Sequence, residues 1–115
     1  MSGKQRNMSN EYFIEKTIDW CRGCFLINIS YTIDYKIVNM DDCWGVTEML
    51  GEDSFLLTID PAMNIRDTVA TVIHEMLHVK QWIHSLKRDS EDDGEAEAER
   101  LQYKLADLMW SLGLI

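Results

Sequence analysis

Apolar positions along the chain change from a helical spacing to an alternating one and back again, and those changes predict its elements. Between Glu11 and Cys21 the residues Phe13, Ile14, Ile18 and Cys21 recur at three- and four-residue intervals, which predicts a first helix behind a frayed polar tail over 1–10. From Phe25 to Val38 the spacing becomes alternation, with Phe25, Ile27, Ile29, Tyr31, Ile33, Tyr35 and Ile37 on one face. The run is rich in β-branched and aromatic side chains and reads as one long strand. Polar turns at 39–42 and 51–53 separate two shorter strands, Cys43–Leu50 and Ser54–Ile59, so a small antiparallel meander is expected.

The only proline, Pro61, ends the third strand, and a helix capped by Asn64 or Asp67 is expected to run to about Leu86. Its apolar residues Val69, Val72, Ile73, Met76, Leu77, Val79, Trp82, Ile83 and Leu86 cannot share one stripe, which places this helix in the interior. An acidic loop over 87–94 follows. Ala98, Leu101, Leu105, Leu108 and Leu112 then predict a last helix from Glu95 to Leu112 that packs by one face. The sum is one α+β domain over 1–115: an N-terminal helix, a meander sheet, a central helix and a C-terminal helix.

Composition narrows the class. With 115 residues, 46% of them hydrophobic and 27% charged, the chain suits one compact domain able to form a core without staples. Eleven basic residues against twenty acidic ones give a net charge of -9, which repels phosphate backbones and anionic headgroups, so neither nucleic acid nor membrane is expected as a partner. No stretch approaches the ~20 apolar residues of a membrane helix, and the polar start lacks a signal peptide's apolar region. Three cysteines, an odd number, argue against a secreted disulfide framework. A cytoplasmic protein is expected, in the host cytoplasm if the chain is viral, with self-association through sheet edges left open.

The central helix carries His74-Glu75-Met76-Leu77-His78, an HExxH pattern. Four residues of α-helix rotate about 400°, so the two imidazoles stand one turn apart on one face and supply two nitrogen ligands for zinc. Glu75 lies beside the first of them, where a carboxylate can deprotonate a water whose pKa zinc lowers to about 7. Inside an interior helix these polar groups need partners, and a metal supplies them at once.

A catalytic zinc usually takes a third protein ligand. His84 completes the HExxHxxxxxH spacing of metzincin proteases, yet Gln81 stands where that pattern has the glycine that breaks the helix. In an unbroken helix His84 lies roughly 240° and about 9 Å beyond His78, facing away. The other candidates are Glu95, Glu97 and Glu99, which open the last helix at the positive end of its dipole. The connection before them is long enough to bring that first turn back beside the motif.

With HExxH followed by this GEAEAERL segment, the chain resembles the gluzincin clan of zinc metallopeptidases. It looks like their smallest members, the minigluzincins and short phage and bacterial proteins, and more distantly like ImmA/IrrE-type regulatory peptidases. The resemblance covers about Ser54 to Leu112. It implies a zincin-like fold, one Zn2+ on His74, His78 and Glu95, Glu75 as general base, and a peptide or protein substrate lying along an edge strand near Ser54–Ile59. It also places Glu99 where family members have a group that orients a His ligand, with Glu97 a substitute for Glu95. The implied activity is peptide-bond hydrolysis. The rival is a metal-binding regulatory or partner-binding module that keeps the fold without general proteolysis, favoured by the little room so small a domain has for a deep cleft.

Tyr31, Tyr35, Tyr103 and His84 are candidates to stabilise an oxyanion. Trp20-Cys21-Arg22-Gly23-Cys24 is similar to a thioredoxin WCxxC but lies in the reverse strand and helix order, and Cys21, Cys24 and Cys43 lack a clear fourth zinc ligand. They are expected to be buried thiols. Trp44, Trp82 and Trp110 are expected in the core, and Lys80 and Gln81 in solvent or behind the ligands.

Overall fold

The computed structural model describes the backbone of residues 2–84 and 91–113 and the side chains of residues 11–84 and 95–113. It is an α+β domain of three helices and a three-stranded mixed sheet: α1 (Ser2–Cys24), β1 (Thr32–Ile37), β2 (Gly45–Gly51), β3 (Ser54–Ile59), α2 (Ile65–His84) and α3 (Glu91–Ser111). Among the described residues no helix is long and apolar enough to cross a membrane.

The sheet is not a meander. Its order is β1-β3-β2, with β3 parallel to β1 and antiparallel to β2. Residues 38–44 carry the chain past the place beside β1, leaving a slot that β3 fills on its return from the tight turn at 52–53. Alternation reports which face a residue takes but not which strand it pairs with, so the sequence pattern could not reveal this order. One consequence bears on function: β3 is paired on both sides, so Ser54–Ile59 is not the edge strand expected to hold substrate. The edge on the side of α2 is β2.

The long strand expected over Phe25–Val38 shrinks to Thr32–Ile37, because the chain before it closes α1. The Ile27 amide donates to the Arg22 carbonyl at 2.9 Å and the Leu26 amide to Gly23 at 3.3 Å, the paired bonds of a Schellman cap. Leu26 takes the left-handed position of that cap, at φ 57°, with its side chain 85% exposed. A left-handed leucine costs about 1–2 kcal/mol and buries almost nothing in return. Leu26→Gly is therefore expected to stabilise the protein by about 1 kcal/mol, read as a higher denaturation midpoint at unchanged m-value.

α1 is longer than the expected Glu11–Cys21 at both ends. It buries Ile14, Thr17, Ile18 and Cys21, and the Thr17 hydroxyl is satisfied by the Phe13 carbonyl at 2.6 Å. Asn64 caps α2, its Oδ1 accepting the Asp67 amide at 2.8 Å. α2 is interior, as its apolar faces require, with α1, α3 and the sheet around it. The expected end at Leu86 and the loop residues 87–90 lie outside the described residues, while 91–94 are helical rather than loop. α3 packs through Ala98, Ala106 and Met109, with Leu101 and Leu105 partly buried against the core and Leu108 and Leu112 exposed, so the first half of the expected stripe faces the core and the contact then shifts to Ala106 and Met109.

Candidate metal centre

α2 and α3 run antiparallel, and their contact assembles the site. His74 and His78 stand one turn apart on α2 with ring centroids 4.8 Å apart. Glu95, at the start of α3, places its two carboxylate oxygens between them: Oε1 is 2.7 Å from His74 Nε2 and Oε2 is 3.3 Å from His78 Nε2. Among the described residues this is the one group of three whose ligand atoms gather, all within 4.8 Å. It is the set the gluzincin resemblance implies. His84 is exposed in the last turn of an unbroken α2, and Glu99 touches neither histidine.

The far side of each imidazole is held by an amide. His74 Nδ1 lies 2.5 Å from Gln102 Oε1, and His78 Nδ1 lies 3.0 Å from Gln81 Oε1. The orientation of Gln81 is fixed by Glu97, whose Oε1 accepts from Gln81 Nε2 at 2.9 Å. Glu97 is thus a support for His78 through Gln81 rather than a member of the ligand group. α3 reaches the centre at three places, through Glu95, Glu97 and Gln102.

These contacts test whether the residues fit a metal. Each imidazole has an oxygen acceptor on both sides, yet a neutral imidazole carries one N–H. If Nδ1–H goes to the amide oxygen, a lone pair on Nε2 faces a carboxylate oxygen. Protonating both adjacent rings would set two positive charges side by side, whereas one divalent cation in the gap takes both lone pairs and the carboxylate at once. Two imidazole nitrogens and a carboxylate are also a familiar donor set for catalytic zinc. Gln102→Leu removes the acceptor that keeps the His74 Nε2 lone pair turned inward, and it is expected to weaken zinc binding roughly 10- to 100-fold. Competition with a chromophoric chelator measures this, and an unchanged affinity would remove Gln102 from the site.

Glu75 is 6% exposed, and the Thr47 hydroxyl on β2 donates to its Oε1 at 2.6 Å. β2 approaches α2 so closely that a Cβ on Gly45 would come within 2.7 Å of Thr71 Cγ2 and 3.3 Å of Glu75 Oε2. Glycine is what lets the edge strand lie against the helix. The loop before β2 is pinned by Asp60, 4% exposed, whose oxygens accept the Met40 and Ala62 amides at 2.7 and 2.8 Å. Sequence reasoning missed Thr47, Asp60 and Gln102. Gly45 at a strand start and Gln102 two turns beyond Glu95 were the available signals.

Between β2, α2 and α3 runs an open cleft of about 1460 Å³, lined by the ligand group and Glu75. The domain's small size therefore does not preclude a cleft. Of the oxyanion candidates Tyr103 lines it, its hydroxyl donating to Asp67 at 2.7 Å. That bond, with partial burial, raises the Tyr103 pKa and keeps the hydroxyl protonated. Tyr35 is bound to Glu15 on α1 at 2.6 Å, Tyr31 packs on Phe55, and neither lines the cleft. Trp44, Trp82 and Trp110 are all exposed rather than core, Trp82 least so. Cys21 is buried, and burial pushes its thiol pKa up, but Cys24 and Cys43 are exposed, so the expectation of buried thiols holds for one of three.

Compared with family models, with curated proteins and with solved structures, the chain matches none.

Proposed function

We propose that the chain is a zinc metallopeptidase of gluzincin type, with the ion on His74, His78 and Glu95 and with Glu75 as general base. The observation that carries this reading is the gap in which two imidazole Nε2 atoms face one carboxylate, each ring already committed to an amide oxygen behind it. When bound there, zinc supplies a Lewis acid that polarises a carbonyl and acidifies a water.

The remaining work belongs to side chains and backbone of this chain. Thr47 holds Glu75 Oε1, which fixes the carboxylate's orientation and leaves Oε2 to take a proton from the attacking water and return it to the departing amine. The outer edge of β2, unpaired among the described residues, offers backbone donors and acceptors to an extended peptide laid along the cleft. That edge takes the place first expected for Ser54–Ile59.

The test is direct. Zinc-loaded protein incubated with a mixture of unstructured peptides is expected to yield internal cleavage products by mass spectrometry, lost with chelator and restored by zinc. Loaded protein that binds zinc and leaves every peptide intact would favour the regulatory or partner-binding module instead.

A further inference from the structure

The charge of the cleft is uneven. Among the described residues six carboxylates line it, against the single guanidinium of Arg100. Glu75 and Glu95 belong to the metal centre, where two negative charges match a divalent ion. Asp67 receives the Tyr103 hydroxyl and Glu97 holds Gln81. Asp42 and Glu99 remain: both are exposed and have no hydrogen bond or ion pair among the described residues. Glu99 stands one helical turn beyond Glu95 on the stripe that also carries Gln102 and Tyr103. Its carboxylate thus belongs to the wall beside the metal ligands, with no ion pair to it among the described residues.

Two indoles line the same cleft. Trp44 lies two residues from Asp42 and is 56% exposed. Trp82, one turn beyond His78, is 38% exposed and rests on Phe55 at a ring separation of 5.8 Å, so the core backs it as a firm platform. Indole faces are the strongest aromatic sites for an organic cation. The protein's own cation–aromatic contacts among the described residues fall on Tyr12, Phe25 and Tyr103, leaving both indoles without one.

We infer that the cleft selects a basic peptide segment, whose lysine or arginine side chains meet Glu99 and Asp42 and lie on Trp44 and Trp82. The inference rests on the metallopeptidase reading for the cleft being the substrate site, but it concerns recognition and is measured by binding. A segment of opposite charge also gains from the field of a chain with net charge -9, and that gain weakens with salt.

The experiment uses the full chain as the zinc-loaded Glu75→Gln variant, titrated calorimetrically with three matched extended peptides that differ only in carrying Lys, Gln or Glu. The Lys peptide is expected to bind roughly tenfold more tightly than the Glu peptide at low salt, with the ratio falling at high salt. Adding Glu99→Lys is expected to remove most of that preference while zinc content stays at one per chain. Equal or weaker binding of the Lys peptide, no binding of any peptide, or a preference untouched by Glu99→Lys overturns the inference. Turnover of the same peptides by the parent separates the two claims. Cleavage without basic preference overturns this inference alone, and basic-selective binding without cleavage overturns the peptidase reading alone.

Discussion

Glu95→Ala is expected to emerge from purification without its metal, while His84→Ala keeps one zinc per chain. Among the described residues Glu95 alone sets its carboxylate against both His74 Nε2 and His78 Nε2, so its removal takes away the anionic member of the group. A four-ligand zinc is worth about 10–16 kcal/mol, and losing one ligand's share lowers affinity roughly 10²- to 10³-fold. Glu97→Ala should lose less, about tenfold, because Glu97 acts through Gln81. Elemental mass spectrometry on protein made without a metal-affinity tag distinguishes the three. Thermal unfolding adds an independent reading. The ligands come from α2 and α3, so zinc at a hundred times its dissociation constant should stabilise the parent by about 2.7 kcal/mol and leave Glu95→Ala unmoved. Zinc retained in Glu95→Ala, or lost in His84→Ala, would sink the assignment.

What the sequence made legible divides along physical lines. Local signals survived: the Asn64 cap, the interior character of α2 and the one-turn spacing of His74 and His78 each depend on a few neighbouring residues. Glu95 needed the resemblance as well, since the helical wheel alone left Glu97 open. What stayed hidden depends on packing between distant segments. Nothing around Ser54–Ile59 says that it pairs on both sides, because that follows from where residues 38–44 lead the chain. Thr47 is one threonine on a strand until β2 is laid against α2. Gln102 is one polar residue of α3 until Ala98 and Ala106 bring that helix close enough for its amide to reach His74. The alternation from Phe25 misled for another reason, because Phe25 and Ile27 join the hydrophobic core from the turn that ends α1 rather than from a strand.

Glu75→Gln is expected to lower the rate of peptide cleavage by about 10² to 10⁴ and to change little else. The amide matches the carboxylate in shape and keeps an oxygen to accept from Thr47, so the contact between β2 and α2 persists. It cannot take a proton from water, and that is the property being tested. Zinc content and unfolding temperature should match the parent, which separates lost chemistry from lost architecture. Thr47→Val supplies the complementary case. It keeps the carboxylate but removes the donor to Glu75 Oε1, at a side chain only 6% exposed, so the group is less well aimed and less well satisfied. The expected fall in turnover is about tenfold, smaller than for Glu75→Gln, at unchanged zinc content. A Glu75→Gln protein that cleaves peptides as fast as the parent would remove Glu75 from the reaction, and the Thr47 bond would then be only the tie between strand and helix.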